Sequence, residues 1–440
     1  MESLPFIVEN VDELSPISTV PNEVLSHIFV LCSCDHPLQF PYRRHNVPYQ
    51  VTISQVCSRW RQVSLCTGTL WNNLRIPYRY EYSHYLSLHQ LWVSRAGSLP
   101  LTVEVDYRSG FKLYEVLLEF VVPFRLRTLH ISLLYGDLPA LSNLPNLAVE
   151  ELAICWVGLG SVELEIPFFM NKTRRVCFLD LCATWEKSEA LLNRHCSLWP
   201  QLRSLTCHSH TMSLTAWLNV LHQAQSLEDC DLTIANAGNG PLVGVSMPNL
   251  RSFKLRLLDV HPDIVIPLIA TPNITTLDIC SHTLDWSSNT YDIIKQHHKL
   301  YQLHEIHLLA AKFPLYITQV LEDAPMVRNL HVTGRSILDD EGLEGIASGR
   351  LGRYLTSLRL TDYFGQAGKW FDMIESRQRN VETMVSQASN WRQLFTGIRS
   401  VEFGTVEAAK SFEGRVATLK ALGTIATIRY CMRECCRNEC

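Results

Sequence analysis

The feature that most constrains this chain is an apolar motif, L-x-x-L-x-L with substitutions, that recurs along most of its length. It appears as Leu126/Leu129/Ile131, Val149/Leu152/Ile154, Val176/Leu179/Leu181, Leu202/Leu205/Cys207, Leu227/Cys230/Leu232 and Leu250/Phe253/Leu255. Ile274/Leu277/Ile279, Leu303/Ile306/Leu308, Val327/Leu330/Val332, Leu355/Leu358/Leu360 and Ile398/Val401/Phe403 continue it. Successive central positions are separated by 23, 27, 26, 25, 23, 24, 29, 24, 28 and 43 residues. Each unit supplies one short strand whose apolar side chains it cannot bury alone, so the units must stack. The expectation is an α/β solenoid with side chains alternating between core and solvent along every strand.

The segments between strands support this. Leu214, Trp217, Leu218 and Leu221 lie at helical spacing, as do Ile317, Val320 and Leu321. Pro145, Pro200, Pro248 and Pro272 break the chain a few residues before a strand. Leu74/Ile76 and Leu101/Val103/Val105 extend the spacing towards the N-terminus. The final gap, with Trp370, Phe371 and Ile374 on a predicted helix, points to an insertion or a degenerate unit. The competing fold is a Rossmann-like domain, but no Gly-rich phosphate loop follows any strand. In length and pattern the units resemble irregular, helix-backed leucine-rich repeats without the regular asparagine of many such repeats. The array is expected over residues 77–410, with a helical cap and a Cys-rich tail over 411–440.

Composition narrows the function. Among 440 residues, 47% are hydrophobic and 19% charged, with a formal net charge of -4. A nucleic-acid binder needs a strongly basic footprint to neutralise phosphates, so no nucleic-acid partner is expected. Residues 1–16, a predicted tail, carry Glu2, Glu9, Asp12 and Glu13 and no cation, unlike a secretory or mitochondrial leader. The apolar run Ile264–Ala270 is short and broken by Pro267, so no membrane span is expected. The cytoplasm or nucleus is the expected compartment, and the 15 cysteines read there as reduced, small hydrophobes.

The first eighty residues follow a different pattern. Ile17–Leu31 reads as an amphipathic helix, with Pro21 at the first helical position and Glu23 in the first turn. Val24, Leu25, Ile28, Phe29 and Leu31 make its apolar face. Cys32–Tyr49 holds Pro37, Pro41 and Pro48 and reads as a loop. A second helix is expected over Thr52–Val63, opened by a Thr52/Gln55 capping box and striped by Ile53, Val56, Cys57, Trp60 and Val63. Thr69–Ile76 reads as a short helical turn running into a strand.

Val20-Pro-Asn-Glu-Val-Leu-Ser-His-Ile-Phe29, Ser54-Gln-Val-Cys-Ser-Arg-Trp-Arg61 and Leu70-Trp71 with Leu74-Arg-Ile76 together resemble the F-box-like domain common in mushroom-forming fungi. The resemblance covers residues 17–76. It implies a short N-terminal three-helix module that docks on the adaptor subunit of an SCF-type cullin–RING ubiquitin ligase. Carried over residue by residue, it marks Pro21, Leu25, Ile28, Val56, Trp60, Leu70 and Trp71 as adaptor-binding or module-core positions. Two departures stand out: Val20 replaces the usual Leu before the proline, and the 32–49 loop is longer than in the plainest members. The alternative is a helical cap closing the exposed end of a repeat scaffold, with no ubiquitin role.

No motif for chemistry appears: there is no G-x-S-x-G elbow, H-E-x-x-H helix, P-loop or kinase signature. The chain is therefore expected to be a binding protein and not an enzyme, with no cofactor. His208/His210 and His297/His298 join no second ligand pair at structural-zinc spacing and read as solvated. Cys32, Cys34, His36 and His45 are too loosely spaced for a metal site, and Cys431, Cys435, Cys436 and Cys440 cannot surround one alone. The solvent side of the strands should carry the position between the last two motif residues: His130, Ala153, Asp180, Thr206, Asp231, Lys254, Asp278, His307, His331, Arg359 and Glu402. Asp180, Asp231, Lys254, Asp278, His307, His331 and Arg359 are the candidate target-binding residues. Their mixed signs favour a protein or peptide target.

Overall fold

The computed structural model describes residues 16–33, 37–39, 47–76, 83–106, 125–134, 149–157, 173–180, 199–208, 212–281, 286–363, 366–387, 396–405 and 412–430. It is a mixed α/β fold built on parallel strands, and the chain divides into two compact units. The first comprises residues 1–133 and 144–149, the second 134–143 and 150–440. Residues 1–15 and 431–440, with the acidic tail and the four C-terminal cysteines, lie outside the described residues, as do Cys34, His36 and His45.

The first unit opens with a 3-10 turn at Pro16–Thr19. Helix α1 (Asn22–Ser33), strand β1 (Leu38–Gln39), helices α2 (Tyr49–Val56) and α3 (Ser58–Cys66) and a second 3-10 turn (Gly68–Leu70) follow. Strand β2 (Asn73–Ile76), helix α4 (Ser83–Ala96) and strands β3 (Leu101–Asp106) and β4 (Leu126–Leu134) complete it. The strands pair in parallel in chain order, β1 to β2 to β3 to β4. Leu74, Val103 and Leu129 stand side by side and buried, and Ile76, Val105 and Ile131 repeat the arrangement.

Three local expectations are corrected here. The 32–49 loop contains β1, whose buried Leu38 pairs with Leu74. The single helix over 52–63 is two helices, because Cys57 turns to extended backbone (φ -157°, ψ 171°). Its Sγ then accepts from the Trp60 backbone N–H at 3.4 Å and caps α3. The capping box does not form, since α2 already begins at Tyr49 behind Pro48. The Thr52 hydroxyl donates to the Pro48 carbonyl at 3.3 Å instead.

The second unit repeats strand and connection. Its strands are β5 (Glu151–Val157), β6 (Arg175–Asp180), β7 (Ser204–His208), β8 (Asp229–Ile234), β9 (Val245–Ser246), β10 (Ser252–Leu257), β11 (Ile269–Ala270) and β12 (Thr276–Ser281). β13 (Glu305–Tyr316), β14 (Asn329–Ile337), β15 (Ser357–Tyr363), β16 (Ser400–Thr405) and β17 (Ile425–Tyr430) follow. Helices α5 (Leu214–Gln223), α6 (Pro262–Val265), α7 (Thr290–His297), α8 (Ile317–Asp323), α9 (Asp340–Ser348), α10 (Ala367–Gln387) and α11 (Glu413–Ala421) lie between them. β9 and β11 pair with each other, so β8 pairs with β10 and β10 with β12; the remaining strands pair in order.

One buried row runs through this sheet: Leu152, Val176, Leu205, Cys230, Phe253, Leu277, Ile306, Leu330, Leu358, Val401 and Ala426, each in register with the next. The row corrects the motif frame in one unit. Val176 is its central residue, preceded by buried Thr173, so the apparent match at Val176/Leu179/Leu181 lies three residues out of phase. It also corrects the C-terminal boundary. The helix expected after residue 411 is present as α11, but β17 follows it and adds another strand to the array.

The connections hold themselves by specific bonds. Ser213 caps α5 by accepting from the Ala216 N–H at 3.2 Å, and the buried Trp217 indole donates to the Thr233 carbonyl of β8 at 2.9 Å. The long final gap is filled by α10, which buries Trp370, Phe371 and Ile374. Arg377, on the same helix, is fully buried. Its guanidinium donates to the carbonyls of Ile346 (2.7 Å), Gly352 (2.7 Å) and Thr396 (3.0 Å), with Arg353 and Leu351 at 3.3 and 3.4 Å. Burial lowers its pKa to about 10, so it stays charged at neutral pH. No helix among the described residues is long and apolar enough to cross a membrane.

An Arg377→Met substitution keeps the apolar stem but removes charged donors from these carbonyls, each such bond worth about 1.5–3 kcal/mol, although Ile346, Gly352 and Arg353 keep a backbone donor. A loss of at least about 3 kcal/mol is expected, read as a lower urea midpoint with unchanged circular dichroism before the transition. A midpoint equal to that of the natural chain would refute the role given to this side chain.

Candidate functional site

The residues marked in the sequence fall on two regions, one in each unit. In the first, α1, α2 and α3 pack on one another, with Phe29 against the Trp60 ring at 4.9 Å between centroids. Leu25 and Phe29, four residues apart, form the buried side of α1. A surface helix ordinarily turns a polar face to water. Here Val24, Ile28 and Leu31, at i, i+4 and i+7, are 47, 43 and 59% exposed, and Val56 at the end of α2 is 57% exposed.

The seven marked positions therefore divide. Pro21, Ile28 and Val56 are on the surface, Trp60 is half-buried, and Leu25, Leu70 and Trp71 are core. The Trp71 indole donates to the Ser64 carbonyl at 2.9 Å, and the Arg95 guanidinium lies over its ring at 4.5 Å. Leu25, expected to face a partner, faces inward. Pro21 precedes the helix instead of opening it, its carbonyl accepting from the Leu25 N–H at 3.0 Å.

Arg59 had no assigned role in the sequence, yet it fastens this region. Its Nε and Nη2 both donate to the Asn22 side-chain oxygen at 3.0 Å, and Nη1 donates to the Ser18 carbonyl at 2.7 Å. Nη2 also donates to the Val20 carbonyl. One guanidinium on α3 thus holds the backbone before Pro21 and the Asn22 side chain after it. Its fork supplies several donors in fixed directions, which a lysine could not.

In the second unit, register places Ala153, Cys177, Thr206, Asp231, Lys254, Asp278, His307, His331, Arg359, Glu402 and Thr427 in one row, out of phase with the buried one. Six of the seven candidate target residues are therefore neighbours across strands. Asp180 is not, because the shifted frame puts Cys177 in its place and moves Asp180 to the strand end, opposite Trp156. The Cys177 thiol is pushed up in pKa by burial first, then by Asp231 and Cys155, and so stays protonated.

The row is cross-linked. His307 Nδ1 bonds Asp278 Oδ2 at 2.9 Å, and its ring stacks on His331 at 3.8 Å. His331 Nε2 pairs with the Thr333 hydroxyl at 3.0 Å. His208 Nε2 lies 3.0 Å from Asp231 Oδ1, and Arg359 Nε lies 3.1 Å from Glu402 Oε2. Such an arrangement can read charge on a partner; it presents no nucleophile activated by an adjacent base.

Elsewhere in this unit a cleft of about 480 Å³ is lined by Thr271, Lys295, His297, His298, Lys299 and Tyr301, among others. His298 is buried and not solvated as expected, its Nδ1 bonded to the Thr271 hydroxyl at 2.7 Å. Among the described residues, no group of three or more His, Cys, Asp or Glu side chains is placed to hold a metal. No protein-family model matches the chain, and no curated protein matches it.

Burial, then the neighbouring His297, lowers the His298 pKa to about 4 from 6.5. The unfolded chain therefore takes up a proton below pH 6.5 that the folded one refuses until about pH 4. The associated stability is complete above pH 6.5 and falls as the pH drops through that window, by about 2 kcal/mol at pH 5. Urea midpoints at pH 7.5 and 5.0 should show this fall, and His298→Asn should remove that component. An identical acid loss in the variant would assign the effect elsewhere.

Proposed function

We propose that this chain is the substrate-recognition subunit of an SCF-type cullin–RING ubiquitin ligase. In this reading α1, α2 and α3 form an F-box-like module that binds the adaptor, and the strand-and-connection units are leucine-rich repeats that hold a protein target. The observation that carries it is the exposed apolar stripe Val24, Ile28 and Leu31, beside a Pro21 segment pinned by Arg59. Three large apolar side chains left in water on one helical face call for a partner. The chain would contribute proximity and orientation, with ubiquitin transfer performed by other subunits.

A second reading has its own support. Leu25, Leu70 and Trp71 lie in the core of the first unit, as a helical cap on a repeat scaffold would require. The two readings differ in what the exposed side chains do.

Pull-down with purified adaptor separates them. The natural chain should bind, Ile28→Asp should lose at least about tenfold in affinity by placing a carboxylate in an apolar contact, and Arg59→Ala should weaken binding by loosening the Pro21 segment. Ile28 is exposed, so Ile28→Asp should keep the natural circular dichroism spectrum and urea midpoint. Absence of binding by the natural chain, or undiminished binding by Ile28→Asp, would leave the scaffold reading in place.

A further inference from the structure

We infer that the target segment read by the polar face of the second unit bears anionic side chains, docked on Lys254 and Arg256. This rests on the proposal that this face is the target surface, and it adds the chemistry of what is bound. Lys254 stands in the row between Asp231 and Asp278, one strand away on either side. Neighbouring strands lie about 4.8 Å apart, so two ion pairs are within easy reach. Neither forms. Asp231 is set against His208 and Asp278 against His307, and further along the row Glu402 is set against Arg359.

Lys254 and Arg256 are both exposed and make no hydrogen bond or ion pair among the described residues. His307 bonds Asp278 and His208 stands 3.0 Å from Asp231, while the two cations are left to the outside. The two project from the same side of β10, roughly 7 Å apart. An extended segment with anionic groups at alternate positions has the same repeat, so both contacts can form at once. A nucleic acid fits less well, since Asp229, Asp231 and Asp278 would face its continuous run of phosphates. Asp229, exposed two residues before Asp231, marks the end of the surface that an anionic segment should avoid.

The test uses the full chain and fluorescein-labelled dodecapeptides that alternate Ser with Glu, phosphoserine, Gln or Lys, beside a single-stranded oligonucleotide. Fluorescence anisotropy should show binding of the Glu or phosphoserine peptide, weakened by salt. The double variant Lys254→Glu/Arg256→Glu should weaken it about tenfold or more, Asp229→Asn should tighten it, and Lys299→Glu, away from this face, should leave it unchanged. The better of the two anionic peptides identifies carboxylate or phosphate as the natural group. Anionic binding indifferent to the double variant, or tighter binding of the oligonucleotide, overturns the inference. If the Gln or Lys peptide binds best and Thr206→Arg or His331→Asp abolishes it, the face is a target surface of other chemistry. If no probe responds to any substitution on this face, the target-surface reading falls and takes the inference with it.

Discussion

Parallel strand pairing in one phase is the constraint from which the rest of the second unit follows. Side chains alternate along a strand, so a slip of one residue would carry every buried leucine into water. The row from Leu152 to Ala426 removes that freedom at every junction. With that row committed to the core, the adjacent row is committed to solvent, and Asp231, Lys254, Asp278, His307 and His331 become neighbours although more than twenty residues separate each from the next. The polar surface is a by-product of apolar packing, positioned without any loop.

The first unit solves the same problem with different means. Its strands share the in-register burial of Leu74, Val103 and Leu129, but its helices spend apolar residues on both sides. Phe29 and Trp60 secure the inner side of α1, and Arg59 pins the entry to the helix through backbone carbonyls. An exposed apolar stripe held in a fixed geometry loses little entropy on association.

What could be read in the sequence was what depends on near neighbours and on apolar period. The strands from Leu126 to Phe403 were legible because their core positions alternate. The unit at Val176 was misframed because Thr173, buried but polar, fills a position where the pattern asks for leucine. β17 was hidden because Gly423 and Ala426 hold the first two motif positions in place of large residues. The break at Cys57 was invisible because the stripe from Ile53 to Val63 continues at helical spacing across it, and a sulfur is an unusual cap. Arg59 and the pairing of Asp231 and Asp278 with histidines were beyond reach for another reason. They depend on which of several possible partners a side chain turns towards once strands and helices are assembled.

Arg377 has a consequence for how the array can be divided. Elsewhere a cut between units breaks the backbone ladder and single side-chain bonds such as Thr271 to His298. Between Ile346 and Thr396 the same cut separates one guanidinium from carbonyls contributed by the end of α9, the turn before β15 and the approach to β16. One side chain thus ties a stretch about two units long, and a shortened form that divides it loses these bonds.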